Sequence, residues 1–365
     1  MSEQQLHIAY VTSHYLPSRG GIEQVVMQLA TRMAARGHHV EVLTQTYSQQ
    51  LPRHELTGGV IVRRFIASGH FAVAPMLLAH LLRHRNTYDL VHAHNYHALP
   101  ALSAALSRPR VLVVSPHYHG TGHTVCRRLL HVLYRVCGHA IFRCAAAVIC
   151  VSEAEATLVC RHFGRSLPRV QVIGNGVETA ELRAAVSFPK VDTVVLSVGR
   201  LERYKQTRRL IEAISYLEAR FVLRIVGEGP ERRQLEALSA RLGLEQRVLF
   251  LGRLADPLLA RWFRTASVYV NLSRLEAFGI TVIEALCAGS CVVASDIPAF
   301  REHAQRMGSD RMVLVPPDAP PAMVALAIQQ AAQRAALVAP LPDTALPSWD
   351  GAIEETMCIY RQLTA

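Results

Sequence analysis

The sequence predicts an α/β protein made of two Rossmann-like, doubly wound domains with parallel sheets. Three observations carry that reading. Short apolar runs rich in β-branched residues alternate with runs of helical period along all 365 residues. The alternation pauses and restarts once, near residue 190. The length suits two domains, each with its own core.

Residues 6–12, LHIAYVT, read as a buried strand. Residues 22–36, IEQVVMQLATRMAAR, place apolar side chains at helical spacing; Gly37 ends that helix and HVEVLTQ follows as the next strand. The pattern continues through VIVRRF, DLVHAH, RVLVVS and AAVICVS. It resumes with TVVLSVG, FVLRIVG, RVLFLG, VYVNLS, CVVASD and MVLVPP, with helical segments between them. Strands joined through helices imply right-handed crossovers and a parallel sheet covered on both faces. The stretch Val177–Val191 has weak periodicity, mixed polarity and a proline, and is the candidate linker. Leu346–Ala365 reads as a final helix after a proline-rich loop. The expected division is 1–186, 187–346 and a terminal helix over 347–365.

Half of the residues are hydrophobic, yet no apolar run has the length of a membrane span. The opening residues show no basic head, apolar middle and small-residue cleavage site, so no secretion signal is expected. The eight cysteines form no CxxC pair, which points to a reduced, cytoplasmic protein. The net charge of +11 is unevenly placed: residues 1–186 hold 18 Lys+Arg against 9 Asp+Glu, and residues 187–365 hold 21 against 19. Seventeen of the 18 histidines fall in the first part. A basic, His-rich first half suits an anionic partner: a membrane surface or a phosphate-bearing acceptor. No stacking-aromatic motif accompanies the charge, so nucleic acid is not expected.

In open parallel sheets ligands bind beyond the carboxyl ends of the strands, so the loops there carry the chemistry. After the first strand come Gly20 and Gly21, which let backbone approach a ligand while the following helix offers free N–H groups to a phosphate; a plain tight turn is the alternative. This is not a GxGxxG fingerprint. The most informative segment is SRLEAFGITVIE, residues 273–284, where Glu276 and Glu284 stand eight apart with Gly279 between them. A helix starting near Gly279 would put Glu276 in the loop before it and Glu284 in its second turn. Two hydroxyl acceptors flanking an anion-binding helix start would fit a sugar nucleotide; on spacing alone two solvated glutamates are the simpler reading, which the flanking residues reverse through the resemblance below. Arg200 and Lys205 follow the strand TVVLSV, where both could reach a diphosphate; Lys205 is one of only two lysines. Gly227 and Gly252, with Arg253, mark turns at the same sheet edge, suited to close approach by a base or ribose. His92, His94, His97 and the loop 115–123 invite a zinc reading, but carboxylates are scarce nearby. No Asp-x-Asp pair occurs to hold a metal on a diphosphate.

These segments resemble the retaining, GT-B-fold glycosyltransferases of family 4. The similarity covers nearly the whole chain: Gly20-Gly21-x-Glu23, ARGHHVEVLT, DLVHAHN, the His117 loop, VICVSE, Asn175-Gly176-Val177, VGRLERYK, IVGEGP, LFLGR and SRLEAFGITVIEALCAGSCVVASD. The resemblance implies two Rossmann-like domains facing across a cleft, the first on the acceptor side and the second binding the nucleotide sugar, with the final helix crossing back to the first. It implies that Glu284 holds the ribose hydroxyls and Glu276 the donor-sugar hydroxyls, with the amides of Phe278, Gly279 and Ile280 near sugar and phosphate. Arg200 and Lys205 would neutralise the diphosphate. Gly20 and Gly21 would let the first domain close onto phosphate and acceptor, and His117, with His119 as the neighbouring alternative, would touch the transferred sugar. No metal or other cofactor is expected, the nucleotide diphosphate-sugar being a substrate. Two departures stand out: Gln206 where Gly commonly follows the Lys, and Gly174 where Pro commonly precedes Asn-Gly.

The expected activity is transfer of a hexose-type sugar from a UDP- or GDP-sugar to a hydroxyl of a lipid-linked or small-molecule acceptor, in the cytoplasm or peripherally on the inner face of the membrane. Two basic amphipathic segments, Phe71–Arg85 and Cys126–Arg143, motivate the membrane reading. A sugar-nucleotide epimerase of the same architecture and a non-catalytic nucleotide-sugar binder are the alternatives.

Overall fold

Strand β1 (His7–Thr12) buries five consecutive residues, Ile8 to Thr12, which requires cover on both faces of its sheet. The structure, a computed structural model, describes residues 4–68, 74–120, 125–189, 192–308, 310–339 and 341–365, and for residues 125–133 the backbone only. The chain forms two compact units, Met1–Asn175 with Trp349–Ala365, and Gly176–Ser348.

In the first unit β1 leads through α1 (Gly21–Ala35) to β2 (His39–Thr46), β3 (His54–Thr57), β4 (Val60–Ile66), α2 (Pro75–Arg83), β5 (Leu90–His94), α3 (Leu99–Ser107), β6 (Leu112–Ser115), α4 (Val125–Cys144), β7 (Ala147–Cys150), α5 (Glu153–Phe163) and β8 (Arg169–Val172). The sheet order is β3-β4-β2-β1-β5-β6-β7-β8. The sequence predicts a parallel sheet, and the structure departs from it at one edge: β3 is antiparallel to β4 across the two-residue turn at Gly58-Gly59, both with positive φ. β3 and β8 escape the sequence pattern because each is four residues long and largely unburied, an edge strand without an apolar run.

The second unit begins with α6 (Thr179–Ala184) and continues β9 (Thr193–Val198), α7 (Thr207–Ile214), β10 (Phe221–Val226), α8 (Arg232–Arg241), β11 (Val248–Gly252), α9 (Asp256–Thr265), β12 (Val268–Asn271), α10 (Ile280–Cys287), β13 (Cys291–Ser295), α11 (Pro298–Met307), β14 (Met312–Val315) and α12 (Pro321–Ala335). All pairs in its sheet are parallel, in the order β11-β10-β9-β12-β13-β14. The strand order reverses between β9 and β12, which opens the crevice where such sheets bind ligands.

The division falls between Asn175 and Gly176, ahead of the expected boundary at 186. The expected linker is instead anchored: the Val177 N–H donates to the Pro347 carbonyl at 3.0 Å, and α6 buries Leu182 against the second unit, packing on α9 and α10. Lys190 and Val191 lie outside the described residues. The last helix, α13 (Trp349–Thr364), packs on α1 of the first unit. Trp349, Ile353, Met357 and Tyr360 are buried; each is worth about 1.5–3 kcal/mol of apolar burial. The exposed pairs Arg32–Asp350 (2.8 Å) and Arg36–Glu354 (2.9 Å) add little beside that.

The two basic amphipathic segments are partly core. Helix α2 buries Leu77 and Leu81 and leaves Met76 and Leu82 exposed, while residues 71–73 lie outside the described residues. Helix α4 buries Ile141 and Phe142 and exposes Val136; the side chains of Arg127, Arg128, Leu129, Leu130 and Leu133 lie outside the description. Among the described residues no helix is long and apolar enough to cross a membrane.

Candidate active site

The crevice of the second unit is built from loops that follow β9, β10, β11 and β12. The first three are tied together by backbone: Gly199 N–H to the Val226 carbonyl (3.0 Å), Leu201 N–H to Glu228 (2.9 Å) and Gly227 N–H to Gly252 (2.8 Å). Gly227 has φ +130°, and a Cβ there would overlap the Gly199 carbonyl oxygen. The space a Gly227 side chain would take is therefore filled by neighbouring backbone, so only glycine fits there. At Gly252 (φ +66°) a Cβ would lie 3.0 Å from Glu228 Oε1, and Arg253 beside it is exposed.

Lys205 ends a 3₁₀ turn, Arg203–Lys205, after β9, and Glu276 lies in the loop after β12. The structure joins them: Lys205 Nζ forms an ion pair with Glu276 Oε1, and both side chains are largely buried. Burial disfavours the ammonium, but the Glu276 carboxylate outweighs it and holds Lys205 above its ordinary range. Nζ also sits 5.3 Å from the Tyr204 ring centre, and the Arg274 N–H donates to the Tyr204 carbonyl (3.0 Å), which ties the two loops. Gln206, the departure noted above, adopts the left-handed conformation (φ +57°) that a glycine there would take at no steric cost. Its side chain bridges the turn, donating to the Arg203 carbonyl at 2.8 Å and accepting from Arg209 at 2.9 Å. Arg200 is exposed, paired with Glu202 at 2.9 Å.

Gly279 caps α10 with φ +85°, and a Cβ would lie 2.5 Å from the Phe300 ring. Among the described residues no side chain caps this helix start; the Val282 N–H already donates to the Gly279 carbonyl (2.9 Å), so the N–H groups that remain for a ligand are those of Ile280 and Thr281. Phe278 is buried beneath the loop, and its carbonyl accepts from His303 Nε2 at 2.7 Å. Glu284 lies in the second turn of α10, as the spacing predicts; burial, with the charge of Asp256, pushes its carboxyl up to about 7. The Tyr269 hydroxyl steadies the first turn of the same helix through Thr281 Oγ1 (2.7 Å).

In the first unit Gly20 is the extended N-cap of α1, where a Cβ would meet Glu23 Oε2 at 2.5 Å, whereas one on Gly21 would meet nothing. His117 follows β6 with φ +49° and is buried. Its Nε2 is 3.1 Å from His94 Nδ1, and burial lowers its pKa to about 4. Glu155, at the start of α5, accepts the Tyr118 N–H (2.5 Å) and the Val151 N–H (2.7 Å), pinning the backbone beside His117. His119 stacks on His97 at 4.8 Å. Among the described residues no three His, Cys, Asp or Glu side chains gather as a metal site; His123 lies outside those residues. Of the supporting residues, Glu155 and His303 carry no role from the sequence, and His94 enters it only among the histidines weighed for zinc. His303 had a signal, being the sole histidine after residue 186.

Comparison with known proteins adds an independent line. Residues 178–334 match the family "Glycosyl transferases group 1", and residues 19–181 match "Glycosyltransferase Family 4". A D-inositol 3-phosphate glycosyltransferase of Streptomyces scabiei is 30% identical over 76% of this chain and 71% of its own. A GDP-mannose:cellobiosyl-diphosphopolyprenol alpha-mannosyltransferase of Xanthomonas campestris is 29% identical over 84% of this chain and 83% of its own. The crystal structure of HepE of Anabaena with UDP-glucose superposes with a TM-score of 0.76 at 21% identity, covering 98% of this chain and 100% of that one.

Proposed function

This chain belongs to the group 1, family 4 glycosyltransferases of GT-B fold, and on that premise we propose that it moves a hexose-type sugar, with retention, from a UDP- or GDP-sugar to a hydroxyl acceptor. The observation that carries the donor half of the reading is the Lys205–Glu276 pair beside the uncapped start of α10 at the strand-order reversal. A cation, a hydroxyl acceptor and free backbone amides converge there, which is what a sugar diphosphate needs. Without donor, Lys205 and Glu276 neutralise each other. A bound donor would divide them, its diphosphate drawing Lys205 and Arg200 and its sugar hydroxyls drawing Glu276, while Glu284 takes the ribose hydroxyls and Phe278, Gly279 and Ile280 line sugar and phosphate. The growing charge of the leaving diphosphate would then be met by fixed cations and helix amides rather than by a metal. UDP-glucose bound to HepE and the GDP-mannose in the name of the Xanthomonas relative support a nucleotide-sugar donor.

On the acceptor side the reading assigns His117 to the transferred sugar and Gly20 and Gly21 to phosphate and acceptor. The basic first half, with Met76 and Leu82 exposed on α2, supports a lipid-linked or phosphorylated acceptor met at the inner face of the membrane. A panel of nucleotide sugars, scored by thermal stabilisation and slow donor hydrolysis, tests the donor half. A donor at 100 times its dissociation constant should add about 2.7 kcal/mol of stability. A changed sugar released without acceptor would instead mark an epimerase, and binding without any turnover a non-catalytic protein.

A further inference from the structure

Strand β5 buries two histidines, His92 and His94, in a central strand where Val, Ile or Leu is the ordinary occupant. A buried imidazole is costly unless its nitrogens are paired. His92 pairs both: Nδ1 meets the Tyr360 hydroxyl at 2.6 Å and Nε2 meets Ser115 Oγ at 2.9 Å. His94 pairs one. Its Nδ1 lies 3.1 Å from His117 Nε2, and its Nε2 is buried without a partner among the described residues. What this imidazole contributes is the bond to His117.

Burial holds His92, His94 and His117 below the ordinary histidine range, and their rings lie 4.2 and 5.4 Å apart, where added charges would repel. All three are neutral at pH 7, so the His94–His117 bond has one donor and one acceptor. Were His117 the donor, His94 would carry its proton on Nε2 and bury an N–H against nothing, which folded proteins nearly always avoid. With His94 donating from Nδ1, the orphan is a bare lone pair, the better tolerated case. His117 then accepts at Nε2 and holds its own proton on Nδ1.

We propose that His94 is a positioning residue: it fixes His117 as the Nδ1–H tautomer and locks its ring, so that His117 offers a hydrogen-bond donor to an oxygen of the sugar substrate. The left-handed backbone at His117 and the grip of Glu155 on the next N–H hold the same ring from the main chain. The effect on turnover rests on His117 touching substrate, as proposed above; the tautomer does not.

The test is nitrogen-resolved NMR of the full chain labelled with ¹⁵N-histidine, with His117 identified by its loss in His117→Asn. Wild type should show His117 protonated at Nδ1 and bare at Nε2. His94→Leu should shift the proton toward Nε2 and lower kcat by up to about a hundredfold with donor KM nearly unchanged. His94→Asn, whose amide N–H can reach the place of Nδ1, should restore both. A wild-type His117 protonated at Nε2, or a tautomer unmoved in His94→Leu, overturns the proposal, and the first reading needs only the assignment variant His117→Asn to fold, not His94→Leu. A tautomer that moves while kcat stays constant supports His94 as the tautomer-setting residue and refutes the role given to His117.

Discussion

Replacing Lys205 with Met should cost both stability and rate, by separable amounts. The Lys205 and Glu276 side chains are only 18% and 16% exposed, so the methionine leaves a largely buried carboxylate without its lysine. Removing one partner of a fully buried pair costs about 3–5 kcal/mol; the water that still reaches this pair trims the expectation to about 2–3 kcal/mol. Glu276 can escape part of that cost by taking up a proton, so the loss should be larger at pH 8 than at pH 5. The double variant Lys205→Met, Glu276→Gln has no charge to strand and should recover most of the lost stability. Its rate should not recover, because the diphosphate has lost a cation and the sugar an anionic acceptor; one such stabiliser is worth about 10²–10³ in rate. Urea titrations at both pH values and steady-state kinetics with the donor found by the panel measure the two effects. A single variant within about 0.5 kcal/mol of wild type, or a double variant no more stable than the single, would refute the buried-pair account. A kcat within threefold of wild type would refute the diphosphate role.

Four further outcomes are expected. Because Glu284 ionises near pH 7 and the carboxylate is the form that grips ribose hydroxyls, affinity for a nucleotide sugar should weaken by about tenfold per pH unit below 7 and level off above it; a flat calorimetric profile from pH 5.5 to 8, indistinguishable from Glu284→Gln, refutes the clamp. Gly227→Ala should unfold at markedly lower urea because its Cβ meets the Gly199 carbonyl, while Gly21→Ala, facing open space, should keep stability within about 0.5 kcal/mol yet raise the KM of donor or acceptor; equal melting of the two would contradict the backbone-packing reading. Transfer should persist in EDTA, and loss of activity rescued by magnesium or manganese would return the diphosphate to a metal. Anionic vesicles should sediment the protein at low salt and release it as salt rises, whereas neutral vesicles should not; no sedimentation at low salt favours a small soluble acceptor.

The strand–helix alternation was readable because buried parallel strands write themselves as continuous apolar runs, so twelve of the strands, from β1 to β14, could be found without coordinates. The short edges β3 and β8 lack that signature. Spacing alone placed Glu276 before a helix and Glu284 inside it, since helical rise fixes where a residue eight positions on must fall. Spacing could not show that Glu276 meets a lysine 71 positions away, or that Gly227 is demanded by Gly199, because both are consequences of which strands lie side by side. The histidines show the same limit: ring nitrogens near two strand ends do not reveal their partners, which the packing of β5, β6 and α13 supplies as Tyr360 and Ser115 for His92 and as His117 for His94.

The return of α13 to the first unit has a consequence for how the chain is made. Everything from Gly176 to Ser348 is synthesised while the first unit still lacks its last helix. At about 5–20 residues per second, that interval lasts roughly 9–35 s. Throughout it the seats of Trp349, Ile353 and Met357 stand open, and His92 Nδ1 and the Tyr10 hydroxyl wait for Tyr360. The second unit is contiguous and needs nothing further to close its core. Order of synthesis and order of completion are thus opposite: the half begun first is finished last, and a nascent chain halted before residue 349 offers chaperones an apolar groove that the released protein conceals.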